Sequence, residues 1–228
     1  MIARIETHAH TDVVSPCGQL SPREIVQAYL REGYSAIIVT DHLVASLPMF
    51  RKVRSWRERA HRFYSGYRAL RDEAAGSGLT VLPGFELTFA DLPGRDFLVY
   101  GIDEGLLADM PDICALDQET FRELANRAGA LVFQAHPFRN DKPAEPWFLD
   151  GVEVFNGNPR HDSRNDRATA YAAEHGLLGI SGSDAHRPED VGRGGITLPE
   201  VPRTIVELVA WYRHSPDEIG LLVPTSVS

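Results

Sequence analysis

Five short apolar runs in this chain end directly in residue types that bind metal ions. Each run has the length and composition of a strand. The five endings are His8-Ala9-His10, Asp41-His42, Glu86, His136 and Asp184-Ala185-His186. Because the ends of successive parallel strands meet at one face of a sheet or barrel, these side chains are expected to converge there. Their nitrogen and oxygen donors suit Zn, Mn or Fe, so the pattern predicts a multinuclear metal hydrolase.

Length and charge limit the choice of fold and partner. The chain has 228 residues, enough for one large core, and we predict a single domain over residues 1–228. Lys and Arg number 23 against 32 Asp and Glu, and the formal charge of −9 disfavours long nucleic acid and anionic membranes as partners. The first residues lack the apolar core of a signal peptide and no run is long enough for a membrane span, so we expect a cytoplasmic protein. The oligomeric state stays open.

Hydrophobic periodicity and capping signals indicate alternating strands and helices. Ser21-Pro22-Arg23-Glu24 has the form of a capping box and predicts a helix from about residue 22 to Gly33, followed by a buried strand over 36–40. A long helix is predicted near 50–75. Further strands are predicted at 80–82, 97–100, 130–134, 152–155 and 178–181, and further helices near 117–128, 163–175 and 203–213. This alternation indicates an α/β fold, a closed or nearly closed parallel β/α barrel of about seven strands.

Five motifs, taken in chain order, carry a family resemblance. They are His8-Ala9-His10-Thr11, Thr40-Asp41-His42, Pro83-Gly84-Phe85-Glu86, His136-Pro137 and Ser183-Asp184-Ala185-His186. Together they resemble the PHP (polymerase and histidinol phosphatase) domain, and the resemblance spans nearly the whole chain. No single motif is specific, but the combination is. The resemblance implies a distorted parallel (β/α)7 TIM-like barrel of PHP type, with a trinuclear metal cleft at the C-terminal ends of the strands.

The same resemblance implies that these residues bind two or three divalent ions. It assigns the first ion to His8, His10, Glu86 and Asp184, the second to Glu86 and His136, and the third to His42 and His186. Asp41, which precedes His42, is included among the candidate ligands. Zn, Mn and Fe all suit such donors, so the identity of the metal stays open.

Two positions depart from the family pattern. The family often places a ligating histidine between the glutamate and the later histidine, and here that position is Asp96, which can ligate through its carboxylate. Ser15-Pro16-Cys17-Gly18 resembles the segment that supplies His or Asp to the third ion. Cys17 is a candidate ligand there, since a thiolate suits Zn but not Mn, and Asp12 is its competitor.

Several basic residues are placed to bind an anionic substrate. Arg139 and Arg187 lie close in sequence to His136 and His186, and the guanidinium group matches phosphate oxygens. Asn156-Gly157-Asn158-Pro159-Arg160-His161 is a loop after a predicted strand and therefore lies at the same mouth, so Arg160 and His161 are further candidates. For each arginine, a surface ion pair is the competing interpretation.

These observations predict metal-dependent hydrolysis of a small phosphate mono- or diester, with a metal-bridging hydroxide as nucleophile. Glu86 would bridge two ions, and Asp184 would ligate and accept a proton. His42 or His186 could protonate the leaving group only if not bound to metal. Arg139 would offset charge in the transition state. Two alternatives remain: a metal-dependent amidohydrolase or lactonase, and a non-catalytic metal-binding accessory module of PHP type. No appended domain is seen in this chain, which argues against the accessory role.

Overall fold

The protein, described here by a computed structural model over residues 2–224, is a mixed α/β fold. Its strands are β1 (Ala3–Ala9), β2 (Ala36–Val39), β3 (His42–Leu43), β4 (Thr80–Thr88), β5 (Asp96–Tyr100), β6 (Leu131–Gln134), β7 (Gly151–Asn156), β8 (Leu178–Gly182), β9 (Ile196–Leu198) and β10 (Gly220–Leu221). Its α-helices are α1 (Pro22–Arg31), α2 (Trp56–Phe63), α3 (Ser65–Glu73), α4 (Glu104–Asp109), α5 (Gln118–Ala128), α6 (Asn165–His175) and α7 (Ile205–His214).

The strands form one curved sheet in the order β10-β9-β1-β2-β4-β5-β6-β7-β8, with β3 paired to β4. The sheet comes close to closing on itself, because a parallel bridge joins Ala9, at the end of β1, to Ala185, just after β8. Two backbone hydrogen bonds hold this bridge, from His10 N to Ala185 O at 3.0 Å and from Ala185 N to His8 O at 3.1 Å. The predicted α/β barrel is therefore present in nearly closed form.

The barrel is not strictly parallel, and in this respect the sequence prediction is wrong. Strand β5 runs antiparallel to both β4 and β6, and β9 runs antiparallel to β1. Residues 89–95 connect β4 to β5 without a helix, and so short a connection favours an antiparallel hairpin over a parallel crossover. Strands β9 and β10 were not predicted, since each is only two or three residues long.

The predicted helix over residues 50–75 is also corrected. The chain forms a short 3-10 turn at Pro48–Phe50, then α2 and α3, which meet at Tyr64. Ser55 caps α2 by accepting a hydrogen bond from Glu58 N, so the helix starts later than the periodicity suggests. By contrast, α1 starts at the predicted capping box, where Ser21 and Glu24 exchange side-chain and backbone hydrogen bonds.

Clusters of buried apolar side chains support the strands of the barrel. One cluster joins side chains of the barrel strands to helix α7, and its largest members include Ile5, Ile38, Leu82, Leu98, Tyr100, Phe133, Leu208 and Tyr212. Full burial of an aliphatic or phenyl side chain stabilises a fold by about 1.5–3 kcal/mol. The strand ends are thus fixed by packing that does not depend on the polar residues at the mouth.

Candidate metal centre

The end of strand β1 places His8 and His10 side by side at the barrel mouth. Both imidazoles are buried, and their i, i+2 spacing points them to the same side. The bridge between Ala9 and Ala185 brings Asp184 next to them. As a result, the Nε2 atoms of His8 and His10 each lie 3.5 Å from Asp184 Oδ1.

Glu86 occupies the middle of the cluster. Strand pairing sets His42 directly opposite Glu86, and the His42 Nδ1 atom lies 2.8 Å from Glu86 Oε2. On the other side, His136 Nε2 lies 3.3 Å from Oε1. Burial alone would raise the pKa of Glu86, but the imidazoles of His42 and His8 outweigh it and hold the pKa well below its usual value. Glu86 is therefore a carboxylate with imidazoles on both oxygens.

Three groups of side chains, two of which share His10, have the spacing of a metal site, with ligand atoms within 4.8 Å of one another. In the part of the chain that the structure describes, the groups are His8, His10 and Asp184; Glu86, Asp96 and His136; and His10, His42 and His186. Strand pairing explains how Glu86, Asp96 and His136 come together. Asp96 on β5 lies opposite Thr88, two residues after Glu86 on β4. The Asp96 carbonyl accepts a hydrogen bond from Ala135 N, next to His136. The structure thus brings together nearly all the ligands that the sequence suggested.

Buried atoms without hydrogen-bond partners show that these residues fit divalent cations. His8 Nε2, His10 Nε2 and both carboxylate oxygens of Glu86 are buried, and no well-aligned hydrogen bond reaches any of them. Leaving such atoms unpaired costs about 1–3 kcal/mol each, and more where a charge is involved. Burial and the neighbouring His186 and His42 hold the pKa of His10 well below its usual value, so its imidazole is neutral, as a ligand must be.

Asp41 and Cys17 lie outside the three groups. Asp41 accepts hydrogen bonds from Thr11 N at 2.7 Å, Thr11 Oγ1 at 2.8 Å and Ser15 Oγ at 2.7 Å. Ser15 Oγ in turn accepts from His42 N at 3.1 Å. The Asp41 carboxylate therefore uses its hydrogen bonds to hold together the segments that carry His10 and His42.

Cys17 is exposed at the rim, beside the group of His10, His42 and His186. Partial burial raises the pKa of its thiol, but hydrogen bonds with His186 and His42 outweigh this effect and lower the pKa to about 6. A thiolate therefore forms readily at this position. Asp12, the competing candidate, is exposed, and burial raises its pKa modestly, with Glu24 adding to the effect.

A cleft of about 320 Å³ opens above the cluster. Its walls hold both candidate ligands and candidate substrate-binding residues, namely Cys17, His42, Asp96, His136, Arg139, Asn140, Asn158, Arg160, His161, Asp184, His186 and Arg187. The loop that follows β7 lies at the same mouth as the histidines, as its position after a strand predicted.

The three arginines of the cleft differ in their partners. Arg139 Nη2 donates to Asp184 Oδ2 at 2.7 Å and to Asn156 Oδ1 at 2.9 Å, so this arginine also holds Asp184. Arg160 pairs with the buried carboxylate of Asp190. Arg187 is more exposed, and its Nη1 lies 3.9 Å from Glu189 Oε1. Of the three arginines, Arg187 therefore makes the weakest contact with a carboxylate of the protein.

Two buried carboxylates that support the ligands were missed in the sequence. Glu153 Oε1 lies 2.9 Å from His8 Nδ1, and Glu6 Oε1 accepts from the backbone N–H groups of His8 and Ser183, both at 2.9 Å. A signal existed for both, since each is a charged residue inside an apolar strand, in Ile5-Glu6-Thr7 and Val152-Glu153-Val154. A buried charge requires partners, so a charged residue inside an apolar strand indicates a possible functional position.

Two candidate ligands have strained backbones. His136 has φ of 31° and Asp184 has φ of 52°, in the left-handed region that non-glycine residues rarely adopt. Such conformations cost on the order of 1–3 kcal/mol and persist where the surrounding structure imposes them. At both positions the chain turns sharply as a strand ends, which aims the side chain at Glu86 or at His8.

A nearly closed α/β barrel with clustered histidines and carboxylates at its mouth defines a class of protein able to bind divalent metal ions. Comparison with known families makes this more specific. The model of the PHP domain matches residues 6–175, and that of a PHP-associated region matches residues 162–221. The chain belongs to the PHP domain family, and the resemblance seen in its motifs is confirmed.

Solved structures share the fold at low sequence identity. A Bacteroides vulgatus ATCC 8482 protein, described as a two-domain protein containing a predicted PHP-like metal-dependent phosphoesterase, is 20% identical with a TM-score of 0.67; the match covers 98% of this chain and 65% of that one. PsfC from Pseudomonas syringae PB-5123 is 18% identical with a TM-score of 0.68, and the match covers 98% of this chain and 92% of that one. These likenesses show a PHP-type fold, as predicted.

A third similar structure is the lesion-specific endonuclease PfuEndoQ of Pyrococcus furiosus. It is 16% identical with a TM-score of 0.66, and the match covers 97% of this chain and 58% of that one. The chain thus spans less than two thirds of the length of the endonuclease and of the Bacteroides protein. No curated protein matches the sequence. None of the helices within residues 2–224 has the length and apolar character required to cross a membrane.

Proposed function

We propose that this protein hydrolyses a small phosphate mono- or diester with the help of two or three divalent metal ions. One observation carries the proposal: buried ligand atoms of His8, His10 and Glu86, which lack well-aligned hydrogen bonds, converge beneath a cleft that arginines line. Cations would satisfy the buried atoms, and the arginines suit the phosphate. We further propose that residues 1–228 form one functional domain.

The proposed ligand sets combine the three spatial groups with the assignments that the family resemblance implies. His8, His10, Glu86 and Asp184 would hold a first ion, and Glu86, Asp96 and His136 a second. His42 and His186 would hold a third, with Cys17 as a further ligand. Zn, Mn and Fe all suit these donors, and the more carboxylate-rich second set is the best suited to Mn.

The residues of the site would have different roles in the proposed hydrolysis. When bound, the ions would lower the pKa of a coordinated water toward neutrality and neutralise charge on phosphate oxygens. Asp184 Oδ1 faces the histidines while Arg139 holds Oδ2, so Asp184 is fixed in position to accept a proton from the attacking water. When no third ion is bound, His186, at the cleft wall, would donate a proton to the leaving group. Arg139 would offset negative charge that develops in the transition state.

Cleft size and charge point to a small substrate. A volume of about 320 Å³ lies at the lower end of the range of small-molecule sites. The arginines and His161 supply donors for phosphate oxygens. The formal charge of −9 opposes the electrostatic attraction that long nucleic acid requires, so we favour a sugar phosphate, an amino-alcohol phosphate or a single nucleotide.

A substrate panel tests the reaction class. Metal-free protein reloaded with Zn or Mn is assayed against aryl phosphate mono- and diesters, small phosphate esters, aryl amides and lactones. We expect turnover of phosphate esters only with metal present. Turnover confined to amides or lactones would instead assign an amidohydrolase, and no turnover of any substrate by the loaded protein would favour the accessory role.

Arg187→Ala is expected to weaken substrate binding more than it slows chemistry. Because Arg187 lies in the cleft wall without a close protein partner, its loss should raise KM for a phosphate ester by roughly tenfold with kcat nearly unchanged. Steady-state kinetics check this. The exposed Arg203, outside the cleft, provides the control Arg203→Ala, which should leave both constants unaltered. Equal KM values in the two variants would remove Arg187 from the binding site.

Asp96→His is expected to shift the metal preference of one site. The change turns a set of two carboxylates and one imidazole into one carboxylate and two imidazoles, which favours Zn over Mn. Metal-free protein is equilibrated with Zn and Mn together, and the bound metals are counted by mass spectrometry. The variant should bind more Zn and correspondingly less Mn than the unaltered protein. An unchanged ratio would mean that Asp96 is not a ligand.

A further inference from the structure

We propose that Glu153 is a positioning residue that couples the two sides of the metal centre. This role rests on the metal binding in the proposed function, but not on the identity of the substrate. Glu153 lies on strand β7, is fully buried, and uses each of its oxygens to hold a different candidate ligand.

The first oxygen orients His8. Glu153 Oε1 lies 2.9 Å from His8 Nδ1, and because a carboxylate only accepts, the geometry assigns the hydrogen to Nδ1. In the neutral imidazole, which is the form that binds a metal, the opposite nitrogen, Nε2, is then unprotonated, and it is this atom that lies 3.5 Å from both Glu86 Oε2 and Asp184 Oδ1. A carboxylate behind a ligating histidine fixes its tautomer and raises its basicity toward the metal.

The second oxygen holds the other side of the centre. Glu153 Oε2 accepts from the backbone N–H of His136 at 2.9 Å. His136 is the residue with φ of 31°, so this hydrogen bond helps to fix a strained backbone that directs the imidazole toward Glu86 Oε1. His8 and His136 approach Glu86 through different oxygens, and Glu153 is the group behind both.

Asn156 extends the coupling to Asp184. Its Nδ2 donates to Glu153 Oε2 at 2.9 Å and is 3.2 Å from Asp184 Oδ2. Its Oδ1 accepts from Arg139 Nη2, which also donates to Asp184. Glu153 therefore contacts two candidate ligands directly and a third through one amide.

The residues around Glu153 leave room for its contact with His8. A methyl group at Gly182 would lie 2.8 Å from Glu153 Oε1 and 2.5 Å from His8 Cβ, so strand β8 has room there only for glycine. Within residues 2–224, the ion pairs of Glu153 involve His8 and neither lysine nor arginine. Its buried charge is thus balanced through His8 and, when metal is bound, through the ion beyond His8.

Glu153→Gln separates this role from simple packing, because an amide of the same shape cannot accept on both sides. If its NH₂ group faces His8, the imidazole must carry its hydrogen on Nε2 and cannot ligate. If the NH₂ group faces His136 N, two donors oppose each other. We expect affinity for Zn, measured by competition with a chromophoric chelator, to fall by roughly 10- to 100-fold.

Asp150→Asn is the matched control. Asp150 immediately precedes strand β7, is partly buried, and accepts from Val132 N and Arg122 rather than from a candidate ligand. This variant should lose stability but bind Zn within about twofold of the unaltered protein. Unchanged Zn affinity in Glu153→Gln, or an equal loss in both variants, would overturn the proposal.

The tautomer of His8 provides a test that needs no variant. In Zn-loaded protein with ¹⁵N-labelled histidine, long-range NMR correlations should show His8 protonated at Nδ1 and bound through Nε2. Protonation at Nε2 would overturn the proposal even if Glu153→Gln does not fold. If the protein binds Zn but hydrolyses no phosphate ester, the proposed function fails, while these affinities and this tautomer still decide the role of Glu153.

Discussion

Glu86→Gln is expected to abolish hydrolysis of phosphate esters while leaving the fold intact. Both oxygens of Glu86 face imidazoles across 2.8–3.5 Å, and in the proposed centre the carboxylate is shared between two ions. An amide offers one neutral oxygen and a donor that repels a cation. Since a bound metal supplies several kcal/mol of transition-state stabilisation, kcat/KM should fall on the order of a thousandfold or more.

Steady-state kinetics, metal counting and circular dichroism together check this expectation. The apolar core lies beneath the strand ends and does not include Glu86, so the variant should retain its secondary structure. Glu104→Gln makes the same chemical change at a surface ion pair with Arg68 and should keep full activity. Normal turnover by a Glu86→Gln protein that has bound metal would remove Glu86 from the centre.

Removal of metal is expected to lower the melting temperature of the protein substantially. Buried nitrogen and oxygen atoms of His8, His10 and Glu86 have no well-aligned hydrogen bond when no cation binds them. A ligand at 100 times its dissociation constant stabilises the native state by about 2.7 kcal/mol per site. For a domain of this size, each kcal/mol shifts the melting temperature by about 2–4 °C, so one site corresponds to roughly 5–10 °C.

Differential scanning calorimetry with and without a chelator measures the shift. Addition of excess Zn after removal of the chelator should restore the higher melting temperature. The Glu86→Gln variant provides the comparison, because its melting temperature should respond much less to the chelator. An identical melting temperature for the chelated and the metal-loaded protein would contradict a resident metal centre.

The strand endings were readable from sequence because a local pattern carries them. An apolar run that stops at a histidine or carboxylate identifies a strand and a ligand close to its end, as at His136, two residues after β6. At Glu86 the strand continues to Thr88, so the ligand lies inside β4. The capping box at Ser21 is equally local, and helix α1 starts there. The order of the motifs also predicted the family, which the matches to family models confirm.

Features that depend on tertiary contacts were not readable in the same way. The direction of β5 depends on its pairing with both β4 and β6. The break between α2 and α3 falls at Tyr64, whose buried hydroxyl donates to the carbonyl of Ile102, far away in sequence. Arg139 was assigned to the substrate because it is near His136 in sequence, yet it also holds Asp184 across the site. Glu153 could not be identified because its partners, His8 and the backbone of His136, are far from it in sequence and adjacent to it only in space.

Anomalous diffraction tests the central claim most directly. Crystals of the protein grown with Zn or Mn are measured on both sides of the corresponding absorption edge. We predict two or three anomalous peaks at the barrel mouth, one among His8, His10, Glu86 and Asp184 and another between Glu86 and His136. A metal-saturated crystal with no anomalous peak near Glu86 would contradict the metal centre and the function built on it.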